Sequence, residues 1–433
     1  MRRASGLLLA LSVTFVSTSV TYGQGFVLPG VGPVNRSMGG AGTAAPLDAT
    51  GALNWNPASI SGLSQSRADI GVDVIYNRNR VNSGVFIGTP GEVSGTTDSN
   101  VGVWALPAIG VVYQPDDSRW TYGLGISTIG GFLTNYAASA SNPLFMPPPV
   151  GFGHMYSRLG IVQFSPTVSY EITDGLSFGF APTINMADLQ TTPFPFQAPN
   201  PPGVYPSATG NRNIWGLGAQ AGLYYESDGG INLGASIKSP QWFERAEFNS
   251  TDGMGFGREV STQLEYPMIL SLGAAYDGID NVLIAVDVRY IDFDSTELFG
   301  EPAQFQPGSG AVRGLGWESV WMFIIGGQVE LTDRLSFRMG YSHNQNPIPD
   351  RLAMFSVQAP GTFEDVISAG FSYQLTSAIV GHVTYVHAFD STIDGPMLAP
   401  PGGILPPGTP VPGTRTAVSQ EIDALVFGAS ILF

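Results

Sequence analysis

The sequence predicts an all-β fold: a transmembrane antiparallel β-barrel of about fourteen strands, with an N-terminal plug in its lumen. Three observations predict it. Tight polar turns alternate along the chain with long stretches rich in Pro, Gly and Asn. The segments between them alternate apolar with small polar residues. Charge is scarce, at 12% of residues against about 25% in soluble domains.

The first 23 residues read as a secretion signal. Arg2 and Arg3 form its positive end, Gly6 to Val16 its apolar stretch, and small and polar residues lead to a cut after Gly23. Removing residues 1–23 moves the net charge from −16 to −18, since only Arg2 and Arg3 leave. An acidic exported chain is a poor nucleic-acid binder, which needs a basic patch to neutralise phosphates. With no cysteine there is no disulfide framework, no lipid-anchored Cys and no thiolate metal site. Nothing in the residues asks for a cofactor.

Residues 24–63 form the second unit. The stretch Gly25 to Leu63 is Gly- and Pro-rich, yet carries Phe26, Val27, Leu28, Met38, Leu47, Leu53, Trp55 and Ile60. That apolar content is too high for a disordered tail, and no strand pattern is present. A compact hatch inside a barrel would bury it.

Residues 64–433 are the barrel itself. The tight turns fall at Pro115-Asp116-Asp117, Thr173-Asp174-Gly175, Ser227-Asp228-Gly229-Gly230, Asp277-Gly278-Ile279-Asp280 and Thr332-Asp333-Arg334. Strand and turn signals place strands at roughly 66–78, 101–114, 119–133, 158–172, 175–187, 212–226, 231–246, 260–276, 281–293, 317–331, 334–343, 364–376, 379–390 and 417–433. With that count the tight turns share one end with both termini, and the long loops share the other. Period two is clean in several of them. Ile284, Val286, Val288 and Tyr290 oppose Leu283, Ala285, Asp287 and Arg289, while Phe337, Met339 and Tyr341 oppose Ser336, Arg338 and Gly340. Branched and aromatic residues on one face suit lipid, and small polar ones suit a lumen. A soluble sandwich also alternates, but its polar faces would hold more Lys and Glu, and Lys238 is the single lysine here. Mean hydropathy of +0.12 and the lack of any ~18-residue apolar run beyond the signal exclude a helical membrane bundle.

Four stretches together resemble one family. They are Ser37-Met-Gly-Gly-Ala-Gly42 with Asn56-Pro57-Ala58; Leu233-Gly-Ala-Ser-Ile-Lys-Ser-Pro240; Tyr266 to Tyr276 running into Ala285 to Asp292; and Leu331 to Tyr341 followed by Pro347-Ile-Pro-Asp350. Their order and spacing resemble the FadL-type outer-membrane transporters of long-chain fatty acids and other hydrophobic compounds. The resemblance implies a fourteen-stranded barrel in the bacterial outer membrane, plugged by a hatch whose motif is Asn56, Pro57 and Ala58. It also implies an inward kink of the third strand that opens the wall sideways. Gly130 and Gly131 are the candidates for that kink, since adjacent glycines weaken a strand and mark bulges. On this reading Asn56-Pro57-Ala58 meets Gly130–Gly131, and together they gate sideways exit.

The outer loops hold material suited to greasy cargo. Leu144, Phe145, Met146 and Phe152 flank a stiff proline run, and Thr192 to Phe196 and Met397 to Leu405 repeat the theme. They form a candidate capture site, because exposed apolar patches mark binding; the plain alternative is rigid loops guarding the barrel mouth. Basic residues at strand positions are Lys238, Arg289 and Arg338. Each could pair with a ligand carboxylate in a partly dry site or serve as a structural ion pair. The histidines His154, His343, His382 and His387 are too dispersed for a metal cluster, and no Ser–His pairing suggests a hydrolase.

The expected partners are therefore a fatty acid or hydrocarbon, outer-membrane lipid with lipopolysaccharide, and the barrel assembly machinery through the last strand ending in Phe433. A monomer is expected. Two other readings stay open: a diffusion porin for small polar solutes, and an enzyme or adhesin built on the same barrel.

Overall fold

In the computed structural model, residues 25–433 are described except 87, 89, 90, 149, 202, 211, 253 and 401–403. The secretion signal expected at 1–23 lies outside the described residues.

Alternating side chains let the strands roll into one closed antiparallel sheet. The wall begins with Arg67–Phe86 and closes where that strand pairs with the last, Thr414–Leu432, from Arg67 opposite Leu432 to Val85 opposite Thr414. Between them run Val103–Tyr113, Trp120–Tyr136, Met155–Thr173, Leu176–Thr192, Asn213–Glu226, Ile231–Lys238, Met268–Ile279, Val282–Asp292, Val320–Thr332, Leu335–Asn344, Asp365–Gln374 and Ile379–Gly395. That makes fourteen wall strands. Outward positions carry exposed apolar side chains such as Leu272, Phe323, Ile325, Phe371 and Phe427, while inward neighbours such as Ser271, Met322, Ser372 and Val426 are buried. The lipid-facing band and the lumen thus follow from period two.

Two departures from the expected strands have local causes. The segments expected at 231–246 and 260–276 are interrupted. Ser239–Pro240 ends the ladder of Ile231–Lys238, because proline brings no N–H to it, and Pro267 does the same before Met268. The residues between form a separate hairpin, Ala246–Thr251 with Gly257–Thr262, where a loop was expected. The stretch expected as a loop near 80–98 is also ordered. Arg67–Phe86 continues past the membrane-spanning length and pairs with Glu92–Asp98.

Residues 25–63 sit within the ring of strands. From Gly25 to Ile60 only Leu28, Pro46 and Leu47 are less than fully buried. The helix Gly32–Ser37 touches the first, second, and last four strands, the helix Ala49–Trp55 touches the first three, and the turn Ser59–Gly62 reaches the third to sixth. Inward glycines make this fit possible. A Cβ at Gly179, Gly234 or Gly340 would collide with the backbone of Pro57, Thr43 or Met38. The Gly-rich strands are thus surfaces that receive another backbone.

Candidate functional site

The segment is tied to the wall by buried polar groups rather than by covalent bonds. Asp287 Oδ2 accepts the amides of Gly42 (2.9 Å) and Thr43 (3.1 Å) and the Thr43 hydroxyl (2.8 Å). Arg289 donates to the carbonyls of Pro29 (3.1 Å) and Gly40 (2.6 Å), pairs with Asp287 at 2.7 Å, and stacks 3.3 Å over Trp55. These charges satisfy backbone groups that would otherwise be buried without partners.

The candidate residues divide accordingly. Lys238 donates to Asn54 Oδ1 and Gln163 Oε1, both at 3.2 Å. Arg338 donates to Gln328 Oε1 at 2.6 Å and to Ser372 Oγ at 2.5 Å. Neither these two nor Arg289 lines the apolar cavities described below. The expectation that they contact a head group is therefore corrected: Lys238 and Arg289 tie the wall to the N-terminal segment, and Arg338 joins side chains within the wall.

A second correction concerns Asn56-Pro57-Ala58. Asn56 Nδ2 donates to the carbonyls of Thr43 (2.8 Å) and Leu223 (3.0 Å), and Asn56 Oδ1 accepts the Ala58 amide at 3.0 Å. Pro57 and Ala58 lie on Gly179, and Asn56 on Gly222. The motif thus docks on the fifth and sixth wall strands and does not meet Gly130–Gly131. Its role there is to fix a turn that proline keeps out of the ladder.

What meets Gly130–Gly131 is the start of the segment. Leu28 donates to the Ile129 carbonyl (3.1 Å), Gly131 donates to the Phe26 carbonyl (2.9 Å), and Val27 bridges Gly130. The third strand has a register shift between Thr128 and Gly130 against its fourth-strand partner. There it leaves the second strand. Pairing between the two stops at Ala108 opposite Ser127 and resumes only at Ser99 opposite Tyr136. Over residues 101–107 and 128–134 the edges stand apart, a gap of roughly 20 Å along the strands at ~3.3 Å per residue. Pro107 begins the gap, bringing no N–H to either side. The freed edge of the third strand is instead capped from inside by Phe26–Leu28. The gap is level with Val72–Tyr76 of the first strand, where Val72 and Tyr76 face outward and exposed, so it opens toward lipid. Trp104 fills it, reaching the positions where a Cβ on Gly131 or Gly160 would lie.

Three apolar cavities lie in series above and behind this gap. The outer one, about 450 Å³, is lined by Leu144, Phe152, Pro193, Tyr205, Met397 and Leu398, among others. Below it a cavity of about 60 Å³ shares Phe152, Pro193, Tyr205, Phe305 and Met354 with the outer one. The lowest, about 70 Å³, lies at the gap and shares Phe132 with the middle one. Phe26 stands between these two, 2% exposed, with its ring 4.5 Å from Phe299, 5.6 Å from Phe293, 5.8 Å from Tyr266 and 5.9 Å from Trp317. Of the expected capture residues, Leu144 and Phe152 line the outer cavity. Phe145 does not: it is buried and stacked on Tyr136 at 5.1 Å. Met146 also lies off the cavities, and its carbonyl accepts the Gly153 amide.

His387, Glu421 and Asp423 converge on the outer face, but Arg78 already holds both carboxylates at 2.8 Å. The cluster is a rim ion-pair network.

Residues 13–399 match the model of one protein family, described as outer membrane protein transport protein (OMPP1/FadL/TodX). No curated protein matches the chain by sequence. Solved structures match by fold. A Pseudomonas aeruginosa FadL homologue is 15% identical, with a TM-score of 0.71 over 95% of this chain and 100% of its own. The Pseudomonas putida toluene transporter TodX is 18% identical, with a TM-score of 0.67 over 95% and 100%. The Ralstonia pickettii toluene transporter TbuX is 18% identical, with a TM-score of 0.64 over 94% and 99%.

Proposed function

Because the chain belongs to the OMPP1/FadL/TodX family of outer-membrane transport proteins, transporters and not enzymes, we propose that it takes up a hydrophobic small molecule. The cargo is a long-chain fatty acid or a hydrocarbon, and it leaves sideways into the membrane. One observation carries the reading: the series of apolar cavities from the outer loops to Phe26 and, beyond it, to a wall gap that faces lipid. A methylene gains ~0.8 kcal/mol on leaving water, so such cargo is held by greasy surfaces and is lost by crossing the aqueous periplasm. Leu144 and Phe152 receive it, the aromatic cavity above Phe26 holds it, and the parted strands release it. Residues 24–63 act as the hatch. Their burial and their anchoring through Asp287, Arg289 and Asn56 support this role.

The test is flux through proteoliposomes. The intact protein should pass a lipophilic probe while sugars swell the vesicles slowly. Deleting residues 24–63 should make sugar swelling fast. Rapid swelling with the intact chain would favour the porin instead, and slow swelling after the deletion would remove the hatch.

A further inference from the structure

The cavity at the wall gap is apolar except for Arg36, Asn77 and Gln420. Arg36 stands out among them. It lies in the last turn of the helix Gly32–Ser37 and is 5% exposed. Its side chain has one charged partner, Asp73, whose Oδ2 lies 2.9 Å from Nε, and that Nε–H is not aligned into a hydrogen bond. A guanidinium carries five N–H donors in a planar fork. Arg289 gives both Nη groups to the carbonyls of Pro29 and Gly40 and Arg338 gives Nη1 to Ser372, whereas the Nη groups of Arg36 form no hydrogen bond to the described residues. A buried guanidinium with spare donors is costly unless an acceptor completes it.

We infer that Arg36 is the head-group site of the lower cavity, and that it accepts the carboxylate of a monocarboxylic amphiphile. The inference rests on the transport reading and names the cargo class within it. The fork geometry suits a carboxylate, which can accept two parallel N–H bonds. The surrounding Phe26, Ile75, Trp104, Phe132 and Phe363 receive the chain next to the head. Asp73 holds the Nε side and orients the fork. It is also the group an incoming carboxylate must tolerate, so it sets how tightly the acid is held.

The experiment measures equilibrium binding of radiolabelled dodecanoate and of methyl dodecanoate to the full chain in lipid nanodiscs. Arg36→Gln should weaken dodecanoate binding ten-fold or more while the ester changes less than two-fold. Asp73→Asn, which leaves Arg36 in place and removes the competing carboxylate, should tighten dodecanoate several-fold. Equal losses of acid and ester in Arg36→Gln would make Arg36 structural and overturn the inference. So would undiminished acid binding in Arg36→Gln, or unchanged acid binding in Asp73→Asn. If Arg36→Gln fails to assemble, the Asp73→Asn result decides by itself. Wild-type protein that binds neither ligand would overturn the transport reading as well, an outcome distinct from one in which the ester binds and the acid ignores Arg36.

Discussion

Phe26 offers the sharpest test of the route, because its ring stands between the middle and lower cavities. Phe26→Ala removes a side chain that is 2% exposed and packed against Phe132, Tyr266, Phe293, Phe299 and Trp317. Truncating a buried Phe costs about 3–5 kcal/mol. The wall strands keep their ladders, so that cost falls on docking of the segment's first residues. What then holds them are backbone hydrogen bonds to Gly361, Ile129 and Gly131, worth about 1 kcal/mol net each. At 1.4 kcal/mol per tenfold, a loss of 3 kcal/mol raises the displaced population roughly a hundred-fold. The two cavities also merge where the ring stood. A stopped-flow assay of lipophilic probe passing from the outer aqueous phase into the proteoliposome bilayer should show faster passage and weaker retention. Phe26→Trp, which refills the space, should slow passage below wild type. If Phe26→Ala assembles normally and the rate stays unchanged, cargo does not cross this point, and the cavities are packing defects rather than a route.

Two further outcomes follow from the same geometry. Trp104→Ala should open the gap between the second and third strands and speed release into lipid several-fold, without changing affinity at the outer cavity; unchanged release kinetics would show that Trp104 does not close the gap. Asp48 caps the helix Ala49–Trp55 through the Gly51 amide at 3.3 Å, and burial, followed by the charge of Asp69, pushes its carboxyl up to about 6. A raised carboxyl favours the docked state while protonated. Docking of that helix, followed by hydrogen exchange, should therefore be firmest below pH ~4 and loosen as pH rises through about 6. Asp48→Asn, which keeps the cap, should flatten that profile, and a persisting slope would assign it elsewhere.

The secondary structure and its faces were legible in the sequence wherever one local rule governed them. Period two placed Val286 and Phe371 against lipid and Asp287 and Ser372 inside. The polar turns at Asp174, Asp228 and Asp333 fixed one end of the barrel. The apolar content of residues 24–63 marked a buried segment. An irregular ladder near Gly130–Gly131 was readable, since adjacent glycines weaken a ladder whatever surrounds them, and the register shift falls beside them. The interruptions at Pro240 and Pro267 could have been read from proline alone.

The tertiary structure decided which residues meet. Asn56-Pro57-Ala58 and Phe26–Leu28 both belong to the N-terminal segment and have turn or apolar character. Their sequence does not tell which one reaches the third strand, because that depends on how a helix-and-turn segment winds inside a closed ring. The buried cations look alike as residues. Arg289 became a tether and Arg36 a wall of the lower cavity because of which acceptors lay within hydrogen-bond reach, and those acceptors come from positions up to 260 residues away. The separated edges of the second and third strands, and Trp104 between them, likewise have no local signal beyond Pro107 and the glycines. Strand propensity is set residue by residue, whereas a gap in a barrel exists only when the pairing of two strands fails while each keeps its other neighbour.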